Sequence, residues 1–338
     1  MKSRSQREYE LMSSGLVDSI KSIYRGTNHN IPSEYFILIA DYIDSISQFN
    51  GDDGLFIDPI SLGKKLPSLL SSITNKPLNG IYGRTDEDRI TMNSLNDYET
   101  NKLYFFHELT HAIQTYKDND KEKCSFYDGH SGMFLTEGAT QFTAELLYNK
   151  SRGSNMEYKN QSSVRGQSHH TTYSAFSQYQ LNGNILMLLS TSLNIPFNQL
   201  LALGFRKDGR EQLKSLYELF PGQENKFEEF MFDLEKIYAL DKLVINGQLN
   251  EINKEPRNII MEDGTSFSGN MTIQDELISK VQRNIAANFI ANNDIEYIMQ
   301  NYEMFSLSLT TPNLKNDFLN TINELSMISN NQDVSINI

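Results

Sequence analysis

The sequence contains no tryptophan, and it has one cysteine, Cys124, among 338 residues. A single cysteine excludes a disulfide framework within the chain, and a free thiol is typical of a reducing compartment. No run of about 18 apolar residues occurs, which argues against a membrane-spanning helix. The N-terminal stretch also lacks the apolar segment of a secretory signal peptide. We therefore expect a cytoplasmic protein without a membrane partner, with non-classical export as the alternative.

Positive charge is scarce as well. The formal net charge is -13, and an acidic chain repels the phosphate backbone, so nucleic acid is excluded as an expected partner. No polybasic cluster is available for an anionic lipid surface. The sequence also has no P-loop, no G-x-G-x-x-G, no G-x-S-x-G and no C-x-x-C motif. What the chain does have is 19 Phe and 17 Tyr, enough for a substantial core in one large domain or two smaller ones.

Apolar periodicity predicts a mostly helical chain with a little strand. A β-hairpin, or two short strands, is predicted over Gly80 to Asn93, because Ile90 and Met92 alternate with polar residues after a polar tip. A turn or hairpin is predicted at Gly264 to Gly269. Residues 118–132 are predicted to be irregular. Helices are predicted over residues 4–24, 31–49, 99–117, 134–150, 178–192, 198–204, 208–219, 225–244, 272–303 and 313–328.

The polar stretch 151–170 is predicted to be a loop that separates two domains. Residues 1–150 would form an α+β lobe with a small mixed sheet, and residues 171–338 a mostly helical C-terminal lobe. The fold class predicted from this organisation is α+β with two lobes.

The strongest candidates for functional side chains lie in residues 103–116, which read LYFFHELTHAIQTY. His107 and His111 are four residues apart, so on a helix they lie on one face and direct two imidazoles at one metal ion. Glu108 follows the first histidine and is placed beside the open position of such a metal. A metal ion lowers the pKa of water, and a carboxylate at this position takes the proton. This spacing is typical of zinc metallopeptidases, against the simpler interpretation of two buried histidines.

A catalytic zinc site requires a third protein ligand. Gln114 and Lys117 stand where the metzincin continuation requires Gly and His, so that subclass is excluded. The next predicted helix offers Glu137 in LTEGATQFTAELLY. Asp128 and His130, in the segment between the two helices, remain alternatives. Cys124 is interpreted as an ordinary cysteine, because a thiolate ligand would be typical of a closed structural site.

The same helix carries further polar side chains on the face of Glu137. Gln141 and Glu145 are one and two turns further on, and both are expected to be able to hydrogen-bond a ligand imidazole. The small side chains of Gly138, Ala139 and Thr140 are expected to let this helix approach the histidine helix closely.

The pair HELTHAIQ and TEGATQFTAE resembles the gluzincins, the thermolysin-like zinc peptidases. It is similar also to bacterial proteins with an HELTHALQ…EGATE pattern and a helical C-terminal half. The resemblance covers residues 79 to about 180. It implies a two-lobed zincin fold in which His107, His111 and Glu137 bind Zn²⁺ and Glu108 is the general base. The thermolysin pattern has Asp where this chain has Gln141.

The resemblance also implies two features around the metal. The strand Arg89 to Asn93 would be the edge strand that pairs with an extended peptide or protein substrate. A Tyr or His near a helix start would stabilise the oxyanion. Tyr173 is the predicted residue for this role, with His169 and His170 as alternatives.

The predicted function is zinc-dependent hydrolysis of peptide bonds by an endopeptidase. An aminopeptidase is disfavoured, because the strand RITMNSLND lacks the glutamate that holds a free amine in that class. The alternative from another class is a binding or regulatory protein on a zincin scaffold, with bound zinc and little turnover. The oligomeric state is not predicted.

Overall fold

A computed structural model gives the fold of the chain. It describes residues 2–24, 31–53, 65–67, 70, 73–78, 83–86, 89–118, 121–153, 163–164, 167–168, 180–219, 222–249 and 255–335. Within these ranges the chain is mixed α+β, with helix predominating over strand. The coarse class predicted from the sequence is therefore confirmed.

Helices account for most of the described residues. Their bounds are α1 (Arg4–Ser13), α2 (Leu16–Tyr24), α3 (Ser33–Asp53), α4 (Tyr98–Gln114), α5 (Met133–Ser151), α6 (Gln180–Ser192), α7 (Phe197–Leu203), α8 (Gly209–Glu218), α9 (Phe227–Ile245), α10 (Met271–Asn292), α11 (Ile295–Ser308) and α12 (Pro312–Ser335).

The strands are short. Their bounds are β1 (Thr74–Lys76), β2 (Gly83–Asp86), β3 (Arg89–Asn93), β4 (Thr115–Asp118), β5 (Lys121–Cys124), β6 (Ser163–Val164), β7 (Gln167–Ser168), β8 (Arg257–Ile260) and β9 (Ser266–Gly269).

Two predicted helices are each divided in two by a local backbone feature. The helix predicted over residues 4–24 breaks at Gly15, whose φ of +76° is readily adopted only by glycine. The helix predicted over 272–303 breaks at Asn293, where the backbone is extended. Asp294 then caps α11 by accepting a hydrogen bond from the Tyr297 N–H.

The prediction for the segment after the histidine helix is wrong. Helix α4 ends at Gln114 and not at 117, because Thr115 is extended and begins β4. Strands β4 and β5 then pair antiparallel, with Thr115 opposite Cys124, where an irregular segment was expected. The predicted hairpin over Gly80 to Asn93 is confirmed for β2 and β3, which pair antiparallel.

The main sheet has the order β1-β3-β2, with β1 parallel and β2 antiparallel to β3. Strand β3 is therefore the central strand of the described sheet, and the expectation that it is an edge strand is wrong. Strand β2 occupies the edge, with Gly83 opposite Met92 and Thr85 opposite Ile90. The predicted hairpin near Gly264 is confirmed as β8 and β9.

The chain divides into two compact units. The first comprises Met1–Ser125, Ala139–Glu157 and Leu201–Gly209, and the second comprises Phe126–Gly138, Tyr158–Leu200 and Arg210–Ile338. The division passes through the continuous helix α5. The two lobes predicted from the sequence, 1–150 and 171–338, stay a prediction.

The core of the first unit forms around helix α4. Tyr42 packs edge-on against Phe106, with 5.2 Å between ring centroids, and its hydroxyl lies 2.9 Å from Thr110 Oγ1. Tyr35 packs against Phe105 in a tilted arrangement, with 5.0 Å between ring centroids. Burial of these aromatic pairs fixes α4 against α3, so the rotation of the histidine helix is set by its apolar side.

Among the described helices, none is by itself both long and apolar enough to cross a membrane. One bent pair, Leu181–Ser192 with Phe197–Leu203, meets the length and composition criteria together, with a bend of 110° between its members.

Candidate metal centre

Helix α4 brings the two histidines of HELTH together as their spacing predicts. The Nε2 atoms of His107 and His111 are 3.1 Å apart. Two nitrogens bound to a tetrahedral zinc at about 2.0–2.1 Å each would be about 3.3 Å apart. The separation of the two imidazole nitrogens is thus close to what one zinc ion requires. His107 is buried and His111 is half-buried, so His111 is the more accessible of the two.

Helix α5 adds the carboxylate of Glu137. One ligand atom from each of His107, His111 and Glu137 lies within 4.8 Å of the others, and among the described residues this is the one group of three or more metal-binding side chains that meets this spacing. Two imidazoles and one carboxylate are the protein ligands of a known class of catalytic zinc site, which keeps its fourth position open. The donor set therefore suits a zinc ion, although these ligand types also bind other divalent metals.

His107 has an outer hydrogen bond that orients its ring. Its Nδ1 lies 2.8 Å from Oε1 of Gln141, one turn beyond Glu137 on α5. The Nε2 of Gln141 in turn donates to Oε1 of Glu145 at 2.8 Å. The expected contact between Gln141 and an imidazole is thus present, and Glu145 is hydrogen-bonded to Gln141.

His111 has different outer neighbours. Its Nδ1 lies 3.4 Å from Thr140 Oγ1 and 3.7 Å from Cys124 Sγ. Thr140 donates its hydroxyl proton to Oε1 of Gln114 at 2.7 Å, so an oxygen lone pair of Thr140 can face His111. Cys124 thus lies on the Nδ1 side of the ring.

Glu108 lies under the edge strand of the main sheet. Thr85 Oγ1, on β2, donates to Glu108 Oε2 at 2.8 Å. A Cβ atom at Gly83 would lie 3.0 Å from Glu108 Cγ and 3.0 Å from Met92 Sδ, which is tighter than ordinary packing allows. A glycine at position 83 thus lets β2 lie directly over the Glu108 side chain, which is 6% exposed.

A buried carboxylate holds the start of helix α5, one turn before Glu137. Oε2 of Glu235 accepts hydrogen bonds from the N–H groups of Gly132 and Met133, both at 3.0 Å. An acidic group at a helix N-terminus is favourable, but burial, together with the nearby Glu262 and Asp263, raises the pKa of Glu235 to about 7. The position of α5 is therefore partly set by an ionisable group.

One of the small residues of α5, Gly138, contacts a helix other than the expected one. A Cβ at Gly138 would lie 2.8 Å from Asn182 Cβ and 2.8 Å from Leu186 Cδ1. Both of these residues belong to α6, so Gly138 permits close approach to α6. Thr140 does face α4, through Gln114 and His111.

The alternative third ligands lie elsewhere. His130 is exposed, and its main-chain N–H donates to Asp128 Oδ1 at 2.9 Å. Asp128 also accepts from the Ser131 N–H, and its Oδ2 is 3.4 Å from Arg210. Neither residue belongs to the histidine and glutamate group found in the described ranges. The geometry favours Glu137 over both.

The residues predicted to stabilise the oxyanion, Tyr173 with His169 and His170 as alternatives, lie outside the described residues. Their role stays a prediction.

Thr85 and Gly83 are the residues near the site that sequence reasoning missed. Strand alternation places positions 83 and 85 on one face of β2. The contact between that face and Glu108 cannot be predicted without the tertiary structure, since both positions are more than 20 residues before Glu108 in the sequence. Nothing in a short polar strand such as GRTD marks contact with the Glu108 carboxylate.

Comparison with protein-family models, curated proteins and solved structures returned no match for this chain.

Proposed function

We propose that this protein is a zinc-dependent metalloendopeptidase with a two-lobed, gluzincin-like fold. The observation that supports the proposal most directly is the convergence of His107, His111 and Glu137, with Glu108 next to His107 on the same helix. Three protein ligands and an adjacent carboxylate are the minimum set for metal-assisted hydrolysis of a peptide bond.

Glu108 performs the proton transfers in this proposal. A bound zinc would supply Lewis-acid chemistry, polarising the substrate carbonyl and lowering the pKa of a water molecule. Glu108 accepts the proton of the attacking water and later delivers it to the leaving amine. The hydrogen bond from Thr85 holds the carboxylate in one orientation while these transfers occur. Tyr173 is the proposed donor to the oxyanion.

The substrate is proposed to be an extended peptide or protein segment that adds to the edge of the main sheet. Strand β2 replaces β3 in this role, because β3 is paired on both sides. Strand β2 is also the strand that touches Glu108, so a peptide along its outer edge would run past the general base. A cytoplasmic location is part of the same proposal, and the single thiol of Cys124 suits it.

The proposal is tested by metal content and cleavage measured on the same samples. We expect one zinc per chain by mass spectrometry, and cleavage of oxidised insulin B chain or casein that stops on chelation. The matched control is Glu108→Gln, which should keep the zinc and lose cleavage. A wild-type protein that takes up no zinc would refute the metal site. Zinc uptake without cleavage of either probe or of a peptide library would support the binding or regulatory protein.

A further inference from the structure

The outer contacts of His107 form a chain of three side chains with a defined direction. Gln141 and Glu145 lie one turn apart on α5 and are 1% and 2% exposed. Gln141 contacts His107 through Oε1, and it contacts Glu145 through Nε2. Both distances are 2.8 Å, within the range of well-formed hydrogen bonds.

Glu145 determines which end of the Gln141 amide faces His107. An amide side chain has an accepting oxygen and a donating nitrogen at nearly the same positions, and its orientation follows from its partners. A carboxylate only accepts hydrogen bonds, so Glu145 requires the nitrogen of Gln141 on its side. The oxygen of Gln141 then faces His107. An oxygen there requires a proton on His107 Nδ1, which leaves the lone pair of Nε2 exposed.

That tautomer is the one a metal site at Nε2 needs. A histidine binds metal through an unprotonated nitrogen, and the hydrogen bond at its other nitrogen determines which nitrogen that is. The opposite amide orientation would place the proton of His107 on Nε2, which lies 3.1 Å from Nε2 of His111. Metal binding would then first require the amide to turn over and the proton to move.

We propose that Glu145 is a positioning residue that, through Gln141, fixes the tautomer of His107 for metal binding. The inference rests on the proposed zinc site and extends it outward by two side chains. It explains how a neutral Gln141 does the orienting that a carboxylate would do by charge, since its direction comes from Glu145.

His111 provides an internal comparison within the same protein. Its Nδ1 neighbours are the hydroxyl of Thr140 and the thiol of Cys124. Glu145 is hydrogen-bonded to Gln141, the partner of His107, so we expect a change at position 145 to alter the tautomer of His107 and to leave that of His111 as it is.

The test begins with Glu145→Met, which keeps the length of the side chain and removes the acceptor. Without that acceptor, we expect the amide of Gln141 to turn its nitrogen toward His107, which moves the histidine proton to Nε2. We expect zinc affinity, measured by competition with a chromophoric chelator, to fall by about 10- to 100-fold. In metal-free protein labelled with ¹⁵N-histidine, the His107 signals, assigned with His107→Ala, should change tautomer while those of His111 do not.

A second substitution should restore the site if the proposal is correct. In the double variant Glu145→Met with Gln141→Glu, a carboxylate faces His107 directly and no longer needs a partner to orient it. We expect zinc affinity within a few-fold of wild type. Gln141→Glu alone should weaken the site or the fold, because it places two buried carboxylates side by side.

The outcomes separate this inference from the proposed function. Unchanged zinc affinity and an unchanged His107 tautomer in Glu145→Met would overturn it, and so would a double variant as weak as the single one. If wild type bound no zinc, the proposed function would fail while the tautomer spectra would still decide the role of Glu145. If Glu145→Met did not fold, Glu145→Gln would replace it. That variant allows both amide orientations, so mixed His107 tautomers would support the proposal and a single Nδ1–H form would refute it.

Discussion

Thr85 Oγ1 on the edge strand lies 2.8 Å from Oε2 of Glu108 and 3.0 Å from the main-chain oxygen of the same residue. One hydroxyl group thus joins the sheet to the proposed general base. Glu108 is buried, so its carboxylate depends on such contacts for a fixed orientation.

Replacing Thr85 by Val is expected to lower kcat with little change in KM or zinc content. The substitution keeps the β-branched shape and removes a hydrogen bond to a charged group, worth about 1.5–3 kcal/mol, so kcat should fall about tenfold or more. Thr85→Ser keeps the hydroxyl and should restore most of the rate. Steady-state kinetics on a peptide cut by the wild type measures both. A Thr85→Val enzyme with unchanged kcat would show that this contact does not position the base.

The identity of the third ligand is tested by comparing Glu137→Gln with His130→Ala. Glu137→Gln removes the charge of the proposed third ligand, which has a carboxylate oxygen within 4.8 Å of a ring nitrogen of each histidine, so zinc should be lost on dialysis. His130 is exposed and lies outside the group, so His130→Ala should keep one zinc per chain. The zinc content of both variants is measured by mass spectrometry. Zinc kept in Glu137→Gln and lost in His130→Ala would make His130 the third ligand.

Gly138→Ala is expected to destabilise the fold although alanine favours a helix. The added Cβ would lie 2.8 Å from both Asn182 and Leu186 of α6. Overpacking of this kind costs about 1–3 kcal/mol, more than the ~1 kcal/mol by which alanine is favoured over glycine in a helix. Urea denaturation should show a lower midpoint with an unchanged slope. A midpoint equal to or above that of the wild type would mean that the two helices separate at little cost.

Glu235 should make stability depend on pH between about pH 4.5 and 7. Burial raises its pKa from 4.5 to about 7 in the folded protein, so the folded state holds this proton more tightly than the unfolded chain does. The resulting stability is fully present below pH 4.5 and is lost as pH rises through 7. The separation of the two pKa values corresponds to about 3 kcal/mol.

Glu235→Gln resembles the protonated side chain and should remove this dependence. Relative to wild type, the variant should gain stability from pH 5 to pH 8, as measured by urea denaturation at both values. Glu224→Gln, at an exposed position, is the control and should follow the wild type. Parallel pH profiles for wild type and Glu235→Gln would contradict the prediction.

Local patterns in the sequence predicted the parts of the fold that depend on neighbouring residues. The helix that carries HELTH is predicted within a few residues of α4, because its apolar residues repeat at helical spacing. The meeting of His107 and His111 follows from the same spacing. The hairpin of β2 and β3 was similarly readable from alternation around a polar tip.

The positions where helices break and the order of strands in the main sheet were harder to predict from the sequence. The interruption at Asn293 has no glycine or proline to mark it, and the strand β4 continues a run with helical character. The order β1-β3-β2 depends on β1, a three-residue strand with the sequence TNK. Such a strand has no periodicity to detect, so the central position of β3 could not be predicted.

The sequence by itself determined the helical pair of histidines, the glutamate between them and the set of candidates for a third ligand. Only the tertiary structure grouped Glu137, and not His130, with the two histidines, brought Thr85 onto Glu108, and ordered His107, Gln141 and Glu145 into one chain of hydrogen bonds. The reason is physical. Contacts within a helix are fixed by its 3.6-residue repeat, whereas contacts between elements depend on how their apolar faces pack, and one sequence read locally does not specify that packing.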